Sequence, residues 1–189
     1  MSVFVSVVPQ KFFVEQIAKD RVDVQVMVKP GASPATYEPR PRQMAALSKA
    51  GAYFAIGVPF EKVWLEKISA ANRHMTVVHT DQGVEKRSMA THLHGEGEDL
   101  AHGAHDGAPG LDPHIWLSPP LVKIQAVAIL AALKALDPAH GDFYQANYQR
   151  FIAAIDVLDS DLTSSFAAHQ GLQFMVFHPS WGYFADAYG

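Results

Sequence analysis

The sequence predicts an α/β fold, in which a parallel four-stranded sheet with flanking helices is followed by a long linking helix and the start of a second α/β lobe. Three observations lead to this prediction. In the first eighty residues, short runs rich in β-branched residues alternate with amphipathic runs, as in parallel sheets with helical crossovers. Between residues 142 and 169, apolar side chains recur every three or four positions without an interrupting glycine or proline. A new apolar run begins after Gly171.

The first lobe is predicted to cover residues 1–141, where strand-like and helix-like runs alternate. Val3–Val8 is dense in β-branched residues, and valines occupy every second position of the run Val22–Val28. Shorter runs at Tyr53–Gly57 and Thr76–Thr80 bring the number of predicted strands to four. Helical spacing of apolar residues predicts helices over Lys11–Asp20, Arg42–Ala50, Phe60–Ala71 and Leu121–Leu136.

A single long helix is predicted to link two lobes over residues 142–170. Its apolar stripe runs from Tyr144 to Phe166, and Gly171 supplies a stop signal. Such a helix spans about 40 Å, which is enough to cross one lobe and leave it on the other side. Leu172–Phe177 then has the composition of a strand, so residues 171–189 are expected to form the first strand and loop of a second lobe. Because the sequence stops there, we interpret the chain as truncated.

Residues 88–111 are predicted to form a mobile surface loop, because they contain glycines and acidic residues but few large apolar side chains. This segment holds four of the ten histidines in the chain, namely His92, His94, His102 and His105. Imidazoles interleaved with carboxylates are typical of weak metal binding at several positions. The segment is therefore interpreted as a His-rich loop that buffers or delivers metal, with a flexible polar spacer as the simpler alternative.

The composition excludes several classes of protein and site. The net charge is −4 and Lys and Arg are not clustered, which argues against a nucleic-acid partner. The absence of cysteine excludes disulfides and thiolate metal sites. The longest apolar runs, such as Ala126–Leu133, are too short to cross a bilayer. Met1–Val8 lacks the charged start and cleavage site of a secretory signal, so no signal peptide is expected in this sequence.

Two loops that carry a histidine beside a proline are expected to bind a ligand. In parallel α/β sheets, ligands bind beyond the carboxyl ends of the strands, and the candidate loops include Asp112–Trp116 and Phe177–Tyr183. His114 and His178 stand beside a proline, which restrains the backbone next to each imidazole. Zinc binds histidine nitrogen and usually has four ligands, so this pair would supply half of a zinc site.

Four segments together resemble a known family. DPHIW at Asp112–Trp116 and FHPSWGYF at Phe177–Phe184 are similar to the second and third ligand loops of the cluster A-I substrate-binding proteins, the zinc and manganese receptors of bacterial ABC importers. GASPATYEP at Gly31–Pro39 resembles their first ligand loop, and IGVPFEKVWLEKI at Ile56–Ile68 resembles the segment after their third strand. The acidic His-rich loop is typical of the zinc branch. The resemblance covers the whole chain.

The resemblance implies two α/β lobes joined by one long helix, with the metal held between the lobes. It implies that His114 and His178 are metal ligands, one from each side of the cleft. It also implies a periplasmic protein that delivers Zn²⁺, or alternatively Mn²⁺, to the membrane permease of an ABC importer.

The chain departs from the family pattern at two ligand positions. Family members usually add a histidine from the first loop, but this chain has Ala35 there, which cannot bind metal. They also add a carboxylate from the second lobe, and that region would lie beyond Gly189. Glu38 or His79 could take the place of a missing ligand, a hypothesis that rests only on their positions in the sequence.

Several alternatives stay open beside the zinc receptor. One is a manganese or iron receptor of the same family, and another is a storage module whose active part is the His-rich loop. A third is a zinc-dependent hydrolase that uses His114, His178 and a carboxylate. The sequence has no HExxH-type helix and no paired general base near either loop, so no catalysis is expected. An unpaired strand after the long helix also suggests a strand-swapped oligomer.

Overall fold

The computed structural model describes residues 1–89 and 110–189. The strands are β1 (Ser2–Val7), β2 (Asp23–Val28), β3 (Ala52–Ala55) and β4 (Thr76–His79). The helices are α1 (Val8–Ala18), α2 (Pro41–Leu47), α3 (Pro59–Ala71), α4 (Pro119–Leu136), α5 (Gly141–Phe166) and α6 (Gly182–Tyr188). Single turns of 3-10 helix lie at Lys19–Arg21, Ile115–Leu117 and Pro138–His140. The four histidines of the predicted His-rich loop, His92, His94, His102 and His105, lie outside the described residues.

The four strands form one parallel sheet in the order β2-β1-β3-β4, which confirms the predicted fold class. Val5 of β1 lies opposite Val26 of β2 and Phe54 of β3, so β1 is an inner strand with a partner on each side. Each parallel pair requires a crossover, and α1 and α3 supply the connections from β1 to β2 and from β3 to β4. This arrangement brings the carboxyl ends of all four strands to one edge of the sheet.

Helices cover both faces of the sheet, because successive side chains of a strand point to opposite faces. Val3 and Val5 belong to a core that includes residues of α1, α4 and α5. Phe4 and Tyr53 belong to the core on the other face, together with residues of α2 and α3. Nearly every residue of β1 and β3 is buried, as expected for strands that are covered on both sides.

Helix α4 extends the apolar run of the sequence into an 18-residue helix, which is long and apolar enough to cross a membrane by length and composition alone. The expectation that no apolar segment reaches that length is therefore wrong for α4. The packing of α4 explains why the helix is so apolar. Ala126, Ile129 and Leu133 are fully buried in the core that covers one face of the sheet. We conclude that the apolar character of α4 comes from its place in this core.

Helix α5 confirms the predicted long helix, although it starts at Gly141 and ends at Phe166. Its 26 residues span about 39 Å. Its first half packs against α1 and α4, where Tyr144, Phe151 and Ile155 are buried. Asn147 donates to the backbone carbonyl of Ile17 at 3.1 Å and fixes the helix to the end of α1. The second half leaves this core, and Val157 and Leu158 are exposed there.

The predicted strand Leu172–Phe177 is not observed, and this segment has no regular secondary structure. Met175 and Phe177 are fully exposed, and Leu172 and Phe174 are mostly exposed. A strand forms only when a neighbouring strand satisfies its N–H and C=O groups. Within the described residues no strand lies beside this segment, so its β-prone composition alone does not produce a strand. The only regular element after Gly171 in the described part is α6.

Candidate metal centre

The candidate site lies at the carboxyl edge of the sheet, where the segment before α4 enters the core. Ile115 is completely buried in the same cluster as Val7, Val28 and Ile56, which stand at or just beyond the ends of their strands. This anchor fixes the loop that carries His114. His114 itself is 8% exposed, so its ring lies almost entirely inside the protein. The position agrees with the rule that parallel sheets bind ligands beyond the carboxyl ends of their strands.

The structure brings the imidazoles of His114 and His178 into direct contact across 64 residues of sequence. Their Nε2 atoms are 3.0 Å apart, and the ring planes are inclined at 78°. Two nitrogens bound to one tetrahedral zinc at 2.0–2.1 Å would be about 3.3 Å apart. The two nitrogens therefore need to separate by only a few tenths of an ångström to hold a zinc ion between them.

Asp112 orients the ring of His114. Its Oδ1 atom lies 2.6 Å from His114 Nδ1 and accepts a hydrogen bond from the His114 backbone N–H at 3.0 Å. An ionised carboxylate only accepts hydrogen bonds, so the ring proton of His114 is on Nδ1 and the lone pair of Nε2 faces His178. Carboxylates hold many metal-binding histidines in this way.

The protonation of His114 suits metal binding. Burial lowers the pKa of His114, and this effect exceeds the opposing effect of the Asp112 carboxylate. The neutral form, which binds metals, is therefore favoured at this position. Because His114 Nε2 carries no proton, His178 Nε2–H donates the hydrogen bond between the rings. A metal ion that binds both nitrogens must displace this proton.

An aromatic side chain packs against the histidine pair. The indole of Trp116 lies edge-on to the His114 ring, with the ring centroids 5.0 Å apart. Trp116 and Trp181, which follow the two histidines by two and three residues, also line an apolar cavity of about 400 Å³. Apolar walls next to a metal site restrict the access of water.

Tyr183 and Arg87 connect the segment that carries His178 to the segments before α4 and after β4. The hydroxyl of Tyr183 donates to the backbone carbonyl of Asp112 at 2.8 Å and accepts from the backbone N–H of Arg87 at 3.0 Å. The Arg87 guanidinium donates to the carbonyl of Gly182 at 2.7 Å and forms an ion pair with Asp186. Sequence reasoning missed the roles of both residues, because the three hydrogen bonds join positions 71 to 96 residues apart.

The other candidate ligands lie at the surface. Ala35 and Glu38 are exposed in the loop between β2 and α2. His79 is exposed at the end of β4, where its Nδ1 atom is 3.9 Å from Asp81 Oδ1. In residues 1–89 and 110–189, the structure brings together no group of three or more His, Cys, Asp or Glu side chains that could hold a metal ion. Glu38 and His79 therefore do not join His114 and His178 in such a group.

The sequence model of the family described as "ZnuA: Zinc-uptake complex component A periplasmic" matches residues 3–189. The chain belongs to the ZnuA family. It is 27% identical over 183 residues to the high-affinity zinc uptake system protein ZnuA of Bacillus subtilis (strain 168), and the match covers 96% of this chain and 56% of that protein. It is 28% identical over 181 residues to the manganese ABC transporter substrate-binding lipoprotein PsaA of Streptococcus anginosus, covering 93% of this chain and 55% of that protein.

Solved structures of ZnuA agree with the fold. A crystal structure of a ZnuA deletion mutant with zinc bound superposes with a TM-score of 0.85 at 42% identity, covering 100% of this chain and 66% of that one. The chain spans about 56% of the Bacillus subtilis relative and about two thirds of the solved ZnuA chain. The relatives are metal-uptake and substrate-binding proteins by name, and the family is described as periplasmic. The family implied by the sequence resemblance and the parallel α/β fold class are thus confirmed.

Proposed function

We propose that this chain is the metal-capturing part of a periplasmic zinc receptor, which delivers the ion to the membrane permease of an ABC importer. The observation that carries the proposal is the contact between His114 and His178, whose Nε2 atoms are 3.0 Å apart. The two rings come from distant segments, and one is oriented by a carboxylate. Zinc is the cargo of such a site, so its binding must be tight and also reversible.

His114 and His178 supply two of the four ligands that zinc usually takes. Ala35, in the loop that resembles the first ligand loop of the family, offers no donor. The remaining positions of the metal are left to water or to groups outside the described residues. Glu38 and His79 would have to move from their surface positions to take part.

We propose a division into three parts, which supports capture between two lobes. Residues 1–141 form the first lobe, residues 142–170 the linking helix, and residues 171–189 the start of the second lobe. The burial of Tyr144, Phe151 and Ile155 and the exposure of later apolar residues of α5, such as Val157, support this division. His178 then reaches His114 from the side of the second lobe.

Binding is favoured over catalysis by the surroundings of the histidine pair. A zinc hydrolase needs a metal-bound water and a general base that is free to take a proton. The carboxylate beside the pair, Asp112, already accepts two hydrogen bonds from His114. We therefore propose that the protein is not an enzyme. Zinc is preferred over manganese, because manganese favours carboxylate and other oxygen ligands.

Zinc titration against a competing chelator tests the proposal. The chain should hold one zinc ion tightly, and the variant with both His114→Ala and His178→Ala should lose that site. His79→Ala removes an exposed imidazole outside the pair and should leave the affinity unchanged. A variant lacking residues 91–106 should keep the tight site. Weak binding of several ions that survives in the double variant but disappears with the loop would instead establish a storage module.

A strand-swapped oligomer remains a separate proposal for the apolar segment 172–177. Leu172, Phe174, Met175 and Phe177 are exposed there, and the backbone of the segment has no strand partner in the described part of the chain. A second copy could supply a strand partner. Solution scattering tests this idea, and a strictly monomeric mass at all protein concentrations would exclude it.

A further inference from the structure

The hydroxyl of Tyr183 joins the two segments that carry the histidine pair. Tyr183 is 5% exposed and belongs to helix α6, which starts four residues after His178. Its hydroxyl donates to the backbone carbonyl of Asp112 at 2.8 Å, two residues before His114. The same hydroxyl accepts a hydrogen bond from the backbone N–H of Arg87 at 3.0 Å. The hydroxyl is therefore held by two hydrogen bonds, as donor in one and as acceptor in the other.

Asp112 connects Tyr183 to His114 by hydrogen bonds. The carbonyl of Asp112 binds Tyr183, while the carboxylate of the same residue binds the backbone and the ring of His114. The ring of Tyr183 is buried in the same core as Ile115, at the carboxyl edge of the sheet. A shift of Tyr183 would therefore move helix α6, and with it the loop of His178, relative to the ring of His114.

Arg87 holds the start of the same helix. Its guanidinium donates to the carbonyl of Gly182 at 2.7 Å and pairs with Asp186, one turn further along α6. The ion pair is partly exposed and contributes little by itself. Its role is to support the buried contact of the Tyr183 hydroxyl, which is less accessible to water.

We propose that Tyr183 is a positioning residue that sets the separation of the His114 and His178 nitrogens and thereby the affinity of the site for zinc. The proposal rests on the metal-binding function proposed above. To bind one zinc ion, the two Nε2 atoms must lie within a few tenths of an ångström of their present separation. Weaker attachment of helix α6 to the loop of Asp112 would therefore lower the affinity for zinc. Loss of the hydroxyl leaves the carbonyl of Asp112 and the N–H of Arg87 without this partner, and helix α6 is then held less firmly against the first lobe.

Tyr183→Phe tests the proposal, because it removes the hydroxyl and keeps the buried ring. Tyr188→Phe is the matched control. Tyr188 is also buried and lies on the same helix, but its hydroxyl donates to Asp159 of α5 at 2.7 Å and does not contact the loop of Asp112. Zinc affinity is measured by chelator competition on the full chain, and thermal unfolding is measured on the metal-free proteins. The visible spectrum of bound Co²⁺ reports the geometry of the ligands.

Tyr183→Phe should weaken zinc binding by about 10-fold or more, in the range found when the groups that orient metal ligands are removed. Its Co²⁺ spectrum should change as well. Tyr188→Phe should change zinc affinity less than 2-fold, although it also removes a hydroxyl hydrogen bond, to Asp159, and should lower stability. Unchanged affinity in Tyr183→Phe, or equal losses in both variants, would overturn the positioning role. A wild-type chain without a tight zinc site would instead overturn the proposed function itself.

Discussion

The ring nitrogen Nδ1 of His114 lies 2.6 Å from the Oδ1 atom of Asp112. This contact makes His114 the better oriented of the two histidines, because the ring is also buried and its other nitrogen faces His178. His178 is exposed, and the contacts of helix α6 position its loop. The candidate site therefore combines a buried histidine with a fixed orientation and an exposed histidine whose position depends on how the two segments meet.

Asp112→Ala should weaken zinc binding by about 10- to 100-fold, because His114 loses the carboxylate that fixes its tautomer and orientation. Asp112→Asn should have a smaller effect, since the amide oxygen can still accept from Nδ1–H. Chelator competition measures both variants. Asp137→Asn is the control, because Asp137 contacts His140 Nδ1 at 2.8 Å in a turn away from the histidine pair. Equal effects at positions 112 and 137 would contradict a specific role for Asp112.

Ala35→His should raise zinc affinity by at least about 10-fold if the loop between β2 and α2 approaches the histidine pair when metal binds. The reason is that the chain resembles its family in this loop but lacks an imidazole there, and zinc usually takes four ligands. Ala32→His places an imidazole elsewhere on the same exposed loop and serves as the control. Identical affinities for the two variants would indicate that the loop stays away from the site.

Glu61 should make stability fall as the pH rises above about 4.5, its ordinary pKa. Burial raises the pKa of Glu61, although hydrogen bonds from Ser6, Ile56 and Gly57 oppose the shift. Between the ordinary and the raised pKa, the folded protein keeps a proton that the unfolded chain has lost, so a rising pH favours unfolding.

Denaturant unfolding over a series of pH values measures this contribution. Glu61→Gln should remove this part of the pH dependence, because the amide does not titrate. It should also lower the free energy of unfolding by about 1–3 kcal/mol, since one buried N–H then faces the amide group instead of the carboxylate. Glu66→Gln, at an exposed position of the same helix, should keep the slope. A slope that persists in Glu61→Gln would assign it to other groups.

Ile155→Ala should lower the free energy of unfolding by about 2–5 kcal/mol, because it opens a cavity in the core that α5 shares with α1 and α4. Leu158→Ala should cost much less, since Leu158 is 49% exposed and lies one turn further along the same helix. Urea unfolding measures the free energy of unfolding of both variants. The comparison is fair because isoleucine and leucine are isomers, so the two sites differ mainly in burial. Similar costs would indicate that more of α5 is buried in the folded protein than the structure shows.

Much of the fold was predictable from sequence because its signals are local. The β-branched run of β1, the alternating valines of β2 and the helical stripe of α5 each predict an element without knowledge of its neighbours. The strand expected at Leu172–Phe177 shows where this reasoning fails. Its composition favours a strand, but strand formation depends on hydrogen bonds to a neighbouring strand, and none lies beside it in the described residues.

The sequence by itself determined the parallel α/β class, the family and the choice of His114 and His178, because these depend on periodicity and on short motifs. Only the tertiary structure decided that the two imidazoles meet at 3.0 Å, that Asp112 orients one of them, and that Tyr183 links their segments. These contacts join residues up to 71 positions apart, apart from the local one at Asp112. They exist because the core at the carboxyl edge of the sheet holds Ile115 and Tyr183 together, and no local pattern records that packing.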